Sequence, residues 1–362
     1  MDEIKFQNRA IELAKKSIGL VSPRPAVGAI VVSKGKIVGE GHTMPSPKEH
    51  AETIAIKKAK NNTKNSVLYC TLEPHNFFSK GIPCTKLIIE SGIKEVSCPT
   101  IDKNPKVNGK GFEELIKAGI KINHKWDKNS ISECKKLYES YEHKIIHEKP
   151  YISLKTAMTI DGKIATTNNE SKWITNEESR KRVHQIRKYS DAIITGINSV
   201  LSDDPMLTVR EGNKYLNRPK YRVVLDHKGQ LNKNYKIFNQ NEFGDVLWFT
   251  DHKVKVSNLP THIKHYKCKN SIDLNHVVDN LYKLGCNSIL VESGSTLAGA
   301  FFDNNLINKL YTFIAPKIFG GQNAPNPIGG LGITNINNHT KLKNITIEEI
   351  SGDFLFTGEI DI

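Results

Sequence analysis

Cysteine is scarce in this 362-residue chain, and its spacing excludes two common uses of the residue. No C-x-x-C pair occurs among the six cysteines, which are Cys70, Cys84, Cys98, Cys134, Cys268 and Cys286. A disulfide framework is therefore not expected, and a reducing compartment is. The chain also lacks a membrane-length apolar run, and its start has no signal-peptide core. These absences predict a cytoplasmic protein without a membrane partner.

Two nucleotide-related patterns are missing as well. The formal net charge is +14, yet the lysines are spread along the chain without a basic block or an arginine–aromatic interleave. This distribution indicates a solvated surface and predicts no nucleic-acid partner. The G-x-G-x-x-G fingerprint is absent, so a dinucleotide, if bound, is held without a Rossmann turn.

The length exceeds that of one typical domain and suggests two. Lys149-Pro150 breaks a charged helical pattern, and a new strand pattern starts at Tyr151, which predicts domains 1–148 and 149–362. Strands alternate with helices in both parts, which indicates an α/β fold with a mainly parallel sheet. Strands are predicted at 27–32, 37–41, 67–71, 95–98, 151–158, 192–196, 221–226, 246–250, 288–292 and 310–315, with a closing hairpin around Gly352-Asp353.

The stretch from Pro47 to Cys84 carries metal chemistry in its residue types. His50-Ala51-Glu52 opens it, and Pro74-His75 and Pro83-Cys84 close it, which is the layout of a zinc deaminase. In that layout His50 holds the metal, and Glu52 moves protons between a zinc-bound water and the leaving amine.

Helical patterns begin at both His50 and Cys84, so two helix starts are expected to face one ion. The N-terminus of the second helix is expected to lower the pKa of the Cys84 thiol. Against this interpretation, a histidine at a helix start is more often a cap or a surface group than a ligand.

A small-residue turn lies between a predicted strand and helix in the second half, at 291–299. Such a turn exposes backbone N–H groups to an anion, as a nucleotide phosphate requires. Alone it is weak evidence for a cofactor.

Along nearly its whole length the sequence resembles the bifunctional deaminase/reductase family of riboflavin biosynthesis. The resemblance lies in these motifs: Pro25-Ala26-Val27-Gly28, His50-Ala51-Glu52, Thr71-Leu72-Glu73-Pro74, Pro83-Cys84, Asn104-Pro105-Lys106-Val107 with Gly109 and Gly111, Lys155-Thr156-Ala157-Met158, Asp161-Gly162-Lys163-Ile164-Ala165, Glu170-Ser171-Lys172-Trp173-Ile174-Thr175, Asp203-Asp204-Pro205 with Leu207 and Arg210, and Val291-Glu292-Ser293-Gly294.

The resemblance implies a cytidine-deaminase-like three-layer domain that removes an amino group from a phosphoribosylated diaminopyrimidine. It also implies a dihydrofolate-reductase-like domain that uses NADPH to reduce the ribosyl group to ribityl. By motif position, zinc is expected on His50, His75 and Cys84, with Glu52 as the catalytic residue. The implied substrate contacts are Ser171, Arg187, Leu207, Arg210 and Glu292. The implied NADPH contacts are Ala157, Trp173, Ser199, Asp203, Gly294, Ser295 and Thr296.

Departures from the family concentrate in the first half. The family usually has Cys at position 75, and His there raises the net charge of the zinc site by one, so weaker zinc binding is expected. Cys70 is an alternative ligand, or else a small buried hydrophobe. The Asn76–Lys80 loop and Arg24 also differ, which leaves a second hypothesis open: a reductase with a degenerate deaminase domain. A nucleic-acid base deaminase is a third and remote one, and homo-oligomerisation is left open.

Overall fold

The computed structural model describes residues 2–78, 81–269 and 271–361. The chain divides into two compact units, 1–149 and 150–362, each with its own hydrophobic core. The division lies beside the predicted domain boundary, which was read from the helix break at Lys149-Pro150.

The first unit contains a five-stranded sheet with the strand order β2-β1-β3-β4-β5. Its strands are β1 Gly28–Ser33, β2 Lys36–His42, β3 Val67–Cys70, β4 Glu95–Ser97 and β5 Lys121–Asn123. Its helices are α1 Asp2–Lys15, α2 Ala51–Ala59, α3 Cys84–Glu90, α4 Lys110–Lys117 and α5 Lys128–His147, with a 3-10 turn at Lys60–Asn62.

The expectation of a mainly parallel sheet is wrong for this unit. Strand β1 runs antiparallel to both β2 and β3, and only the β3-β4 and β4-β5 pairs are parallel. The reason is local, because Lys34 and Gly35 both have positive φ and turn the chain directly back from β1 into β2.

Helices cover both faces of this sheet, and glycines let them approach closely. A Cβ on Gly28 of β1 would meet the Ala10 carbonyl oxygen of α1 at 1.9 Å. On β2, a Cβ on Gly41 would meet the Ala51 carbonyl oxygen of α2 at 2.1 Å. Gly41 pairs with Ala29, the residue after Gly28, so the two helices lie on opposite faces. The three-layer arrangement follows.

The second unit contains a nine-stranded sheet with the order β12-β11-β10-β7-β13-β6-β14-β16-β15 and a small β8-β9 hairpin. Its strands are β6 Tyr151–Thr159, β7 Ala192–Gly196, β8 Val209–Glu211, β9 Lys214–Leu216, β10 Tyr221–Leu225, β11 Asp245–Asp251, β12 Ile263–Cys268, β13 Ser288–Glu292, β14 Lys309–Ala315, β15 Leu342–Ile350 and β16 Asp353–Ile360. Its helices are α6 Glu177–Lys188, α7 Ile197–Asp203, α8 Lys236–Asn239, α9 Leu274–Lys283 and α10 Ser295–Asp303, with a 3-10 turn at Ile336–Asn338.

For this unit the prediction of a mainly parallel sheet is correct. All pairings from β12 across to β14 are parallel, and only the two pairings made by β16, with β14 and with β15, are antiparallel. The predicted closing hairpin is present, with Ser351 and Gly352 at positive φ in its turn. Strand β12 has no counterpart in the sequence analysis, because its exposed and half-buried middle residues form no apolar run.

Within the residues that the structure describes, every helix is too short or too polar to span a bilayer.

Candidate metal centre and reductase site

Three potential metal ligands meet in the first unit at the ends of two helices. His50 is the N-cap residue of α2, and Cys84 is the first residue of α3. His75 lies on the irregular stretch between β3 and α3. One ligand atom from each residue lies within 4.8 Å of the other two. The structure therefore brings together the three residues that the sequence singled out.

Main-chain contacts fix this arrangement. The Thr85 N–H of α3 donates to the His75 carbonyl at 3.2 Å, which ties the irregular stretch to the start of that helix. The His50 and His75 rings lie 4.5 Å apart between centroids. Thr71 follows β3, and its hydroxyl accepts a hydrogen bond from the Gly28 N–H of β1 at 3.1 Å. The end of the β1-β3 pair therefore helps to set the position of His75.

The donor set fits a zinc ion. Burial lowers the pKa of both His50 and His75 to about 4, so both imidazoles are neutral at neutral pH, as metal ligation requires. The charge of Arg24 contributes to the lowering of both pKa values, and His50 contributes to that of His75. The Nε2 atom of His75 is buried without a hydrogen-bond partner. Two nitrogens and one sulfur suit tetrahedral zinc with one position for water or substrate.

The pKa of Cys84 runs against the sequence-based expectation. Burial raises the pKa of this thiol well above its ordinary value, and the neighbouring Glu52 carboxylate raises it further. The direction is opposite to the lowering that the helix N-terminus predicts, and burial is its largest cause. A thiol that coordinates a cation is deprotonated outright, so the ion's own charge supplies what this site needs to hold a thiolate.

Glu52 lies in the first turn of α2 and is buried, with 4% of its surface exposed. Burial raises the pKa of its carboxyl group to about 7, against the lowering effect of hydrogen bonds from its own backbone and from Cys84. Its Oε2 atom has no hydrogen-bond partner. A carboxyl group that titrates near neutrality suits general acid–base work.

The residues that depart from the family lie around this centre. Arg24 donates from Nη1 to the Lys48 carbonyl at 2.7 Å and so holds the loop that leads to His50. Phe77 packs edge-on against the His75 ring, with 5.4 Å between centroids. Ser79 and Lys80 lie outside the described residues. Cys70 is buried in β3 and is not part of the ligand group found among the described residues.

A buried ionic cluster marks the second unit. Glu292 ends β13 and lies beside Lys155 in the register of β6. Arg187 of α6 donates from Nε to Oε1 of Glu292 at 2.5 Å and from Nη2 to Oε2 at 3.0 Å. Lys155 Nζ is 3.2 Å from Oε2. Burial opposes ionisation of Glu292, but the charges of Arg187 and Lys155 prevail and hold the pKa of its carboxyl group well below the usual range.

This cluster changes how two predicted substrate contacts are understood. Arg187 is a predicted substrate contact, but its Nε and Nη2 atoms are already bonded to Glu292. Lys155 is predicted only as part of a family motif, and its place beside Glu292 is a finding of the structure. Sequence reasoning could not find this group, because the three residues come from three separate elements and meet only through strand register and helix packing.

The other predicted substrate contacts come from two loops and from strand β8. Ser171 donates from Oγ to Asp203 Oδ1 at 3.4 Å, which joins one predicted substrate contact to one predicted cofactor contact. Leu207 is buried at a φ of 51°. Arg210 lies over the Tyr215 ring at 5.7 Å, within the β8-β9 hairpin. Ser199 lies in α7.

The predicted cofactor turn is the start of α10. Gly294 is the N-cap residue and offers no side-chain cap, so the first-turn N–H groups suit an anion. The Ser293 Oγ atom is buried there without a partner, which fits a polar ligand group. Ser295, however, donates from Oγ to Asn326 at 2.8 Å, while Thr296 is in the same turn.

Two further predicted cofactor contacts lie on other elements. Trp173 is 63% exposed and lies under the Arg180 guanidinium at 4.6 Å. Ala157 pairs with Phe313 across β6 and β14. An exposed indole is compatible with cofactor stacking, and these roles stay predictions.

Comparison with known proteins identifies the family. The family model "RibD C-terminal domain" matches residues 150–356, and "Cytidine and deoxycytidylate deaminase zinc-binding region" matches residues 1–100. The riboflavin biosynthesis protein RibD of Aquifex aeolicus is 36% identical over 97% of this chain and 96% of its own length. The chain belongs to the RibD family.

Solved RibD structures share its fold over both units. A deaminase/reductase of Thermotoga maritima is 34% identical, with a TM-score of 0.85 and 99% of each chain covered. RibD of Acinetobacter baumannii is 27% identical, with a TM-score of 0.85 over 100% of this chain and 99% of its own. The predicted α/β fold class is confirmed. This RibD chain is a bifunctional riboflavin-biosynthesis enzyme with a zinc-binding deaminase domain and a reductase domain.

Proposed function

We propose that residues 1–148 deaminate a phosphoribosylated diaminopyrimidine and that residues 149–362 reduce the ribosyl group of the product to ribityl. The substrate is taken from the chemistry named for the Thermotoga maritima relative, a diaminohydroxyphosphoribosylaminopyrimidine deaminase and 5-amino-6-(5-phosphoribosylamino)uracil reductase. The observation that carries the deaminase half is the convergence of His50, His75 and Cys84, with the buried Glu52 carboxyl group hydrogen-bonded to Cys84.

In the deaminase, His50, His75 and Cys84 hold zinc. When bound, zinc supplies Lewis acidity that activates water for attack on an amino-bearing carbon. Glu52 takes a proton from the attacking water at its unpartnered Oε2 atom and delivers it to the departing amine. The buried walls exclude bulk water from the carboxyl group.

In the reductase, NADPH supplies the reducing equivalents. The first-turn N–H groups of α10 have no side-chain cap, and the buried Ser293 Oγ atom has no hydrogen-bond partner. These groups suit the phosphates of the cofactor. Glu292 stays ionised between Arg187 and Lys155. The carboxylate therefore fixes the direction of the Lys155 ammonium group, which can bind an oxygen of the sugar.

An assay of the purified protein with the diaminopyrimidine phosphate tests both halves, with ammonia and NADPH followed separately. Ammonia release and substrate-dependent NADPH oxidation are both expected. Treatment with a strong chelator should stop ammonia release. It should leave NADPH oxidation unchanged when the deaminated product is supplied as substrate. NADPH oxidation without any ammonia release contradicts the bifunctional proposal.

A reductase with a degenerate deaminase domain is the second candidate. Arg24 places a positive charge near the neutral imidazoles of His50 and His75. This charge opposes binding of a zinc dication and so favours the second candidate. Metal analysis separates the two candidates: about one zinc per chain supports a working site, and none supports degeneracy.

Restoring a thiolate at position 75 is expected to tighten zinc binding. His75→Cys adds a negative charge to the ligand set, and competition with a chromophoric chelator should show about a tenfold lower zinc dissociation constant. His276→Cys adds a thiol on the exposed face of α9 and should change nothing. Equal zinc affinity of parent and His75→Cys contradicts His75 as a ligand.

The remaining expectations concern partners and location. Dispersed lysines and the small-molecule sites support the prediction of no nucleic-acid partner. Scattered cysteines, all free in the described residues, support a reducing, cytoplasmic location. Homo-oligomerisation stays open to measurement.

A further inference from the structure

The metal chemistry leaves Glu73, a buried carboxylate of the first unit, without a role. Glu73 lies two residues before His75, in the Thr71-Leu72-Glu73-Pro74 motif, and is 3% exposed. It is not one of the three ligands that lie close together. A buried charge in this place requires compensation from its neighbours.

Glu73 receives four main-chain hydrogen bonds from the segment 102–112. Its Oε2 atom accepts from the Asp102 N–H at 3.1 Å and from the Gly109 N–H at 2.9 Å. Its Oε1 atom accepts from the Gly111 N–H at 2.9 Å and from the Phe112 N–H at 3.3 Å. One side chain thus holds both ends of the segment, with bonds that are charge-assisted.

Two of these donors belong to the first turn of α4. The N-cap residue Gly109 has a φ of 89° and contributes no side-chain cap. The N–H groups of Gly111 and Phe112 would otherwise lack acceptors at the helix start. The Glu73 carboxylate therefore caps α4 from a distant part of the chain, where negative charge is also favoured by the helix field.

The same segment lies directly on the stretch that carries the metal ligand. A Cβ on Gly111 would meet the Pro74 carbonyl oxygen at 2.1 Å, so the two backbones approach as closely as glycine allows. Further along, Lys106 Nζ lies over the Phe77 ring at 5.9 Å, and Phe77 packs on His75. The segment 102–112 is therefore a wall beside His75.

We propose that Glu73 is a positioning residue for deamination. Its carboxylate holds the segment 102–112 against the His75 stretch and so fixes one wall of the pyrimidine-phosphate site. This inference rests on the proposed deaminase function and assigns that function a further residue. Glu73 itself contacts backbone alone in the hydrogen bonds described above, so it acts through the wall and not on the reacting atoms.

Glu73→Gln in the full chain tests the proposal. The amide has one acceptor oxygen, and its NH2 group faces N–H donors, so part of the hold on the segment is lost. We expect kcat/KM for ammonia release to fall about 10- to 100-fold, mainly through KM, because small displacements of a positioned substrate cost this much. Hydrogen exchange at the Gly109 and Gly111 amides should quicken, while zinc content and NADPH oxidation stay at parent values.

Matched variants separate positioning from general damage. Glu113→Gln changes an exposed carboxylate in the first turn of the same helix and should leave all readouts at parent values. Gly109→Ala strains the left-handed backbone of a residue whose N–H donates to Glu73, while the Glu73 side chain is unchanged; KM should rise, as in Glu73→Gln. Gly109→Ala decides the matter if Glu73→Gln fails to fold.

The outcomes are distinct. If Glu73→Gln leaves both KM and amide exchange unchanged, the proposal is overturned. If the variant loses zinc together with activity, the proposal is also overturned, because Glu73 then supports metal binding and does not position the substrate. A parent protein that releases no ammonia refutes the deaminase function, and amide exchange then still decides whether Glu73 holds the segment.

Discussion

Glu52→Gln is expected to abolish ammonia release while NADPH oxidation continues at the parent rate. Glutamine keeps the shape of the side chain but cannot take up and return a proton at Oε2. General acid–base catalysis contributes about 10²- to 10⁴-fold, so the deaminase rate should fall by at least that range. The measurement is ammonia release with the diaminopyrimidine phosphate, beside NADPH oxidation with the deaminated product.

Two controls accompany this variant. Zinc content should equal that of the parent, because Glu52 is not a member of the ligand group. Glu49→Gln removes a nearby carboxylate that pairs with Lys57 on the surface, and it should deaminate normally. Deamination by Glu52→Gln at the parent rate would refute the role given to Glu52.

Arg187→Met is expected to destabilise the second unit strongly and to lower reductase activity. Arg187 and Glu292 side chains are 17% and 8% exposed, and removing the cation leaves a buried carboxylate with Lys155 alone. Breaking such a pair costs about 3–5 kcal/mol. Denaturant unfolding followed by tryptophan fluorescence should show this loss at neutral pH, with the buried Trp248 as a reporter in this unit.

Arg182→Met is the matched control on the same helix. Arg182 pairs with Glu348 at 3.4 Å, and both side chains are largely exposed, so its removal should cost about 0–1 kcal/mol. If Arg187→Met and Arg182→Met lose equal free energy of unfolding, the buried cluster does not stabilise the second unit as proposed.

The pH dependence of this cluster has a definite sign. The folded-state pKa of Glu292 lies below its unfolded value. Its contribution to stability is therefore present above the unfolded pKa of roughly 4.3 and is lost as pH falls through the lower folded value. In Arg187→Met the folded pKa rises, so acid unfolding of the second unit should begin at higher pH than in the parent. An unchanged acid transition contradicts this account.

Much of the fold was predictable because its signals are local. Continuous apolar runs gave the strands that are buried on both faces, such as β7, β10 and β13. Pro150 marked the end of the first unit. The edge strands β5 and β12 were missed, since an edge strand needs no apolar run to pair with its neighbour.

The metal centre was predictable in its members but not in its electrostatics. Residue types together with motif position in the resembled family predict His50, His75, Cys84 and Glu52, and the structure brings the three ligand residues together. The direction of the Cys84 pKa shift was not predicted correctly, because it depends on burial, which the packed sheet and helices decide.

The sequence by itself determined the family, the two-part organisation and the chemistry-bearing residues, because these follow from residue identity and order. Only the tertiary structure decided that Arg187 serves Glu292, that Lys155 joins them, and that Glu73 holds the segment beside His75. Each of these contacts joins residues far apart in the chain, and strand register, helix packing and burial set both their geometry and their charge states.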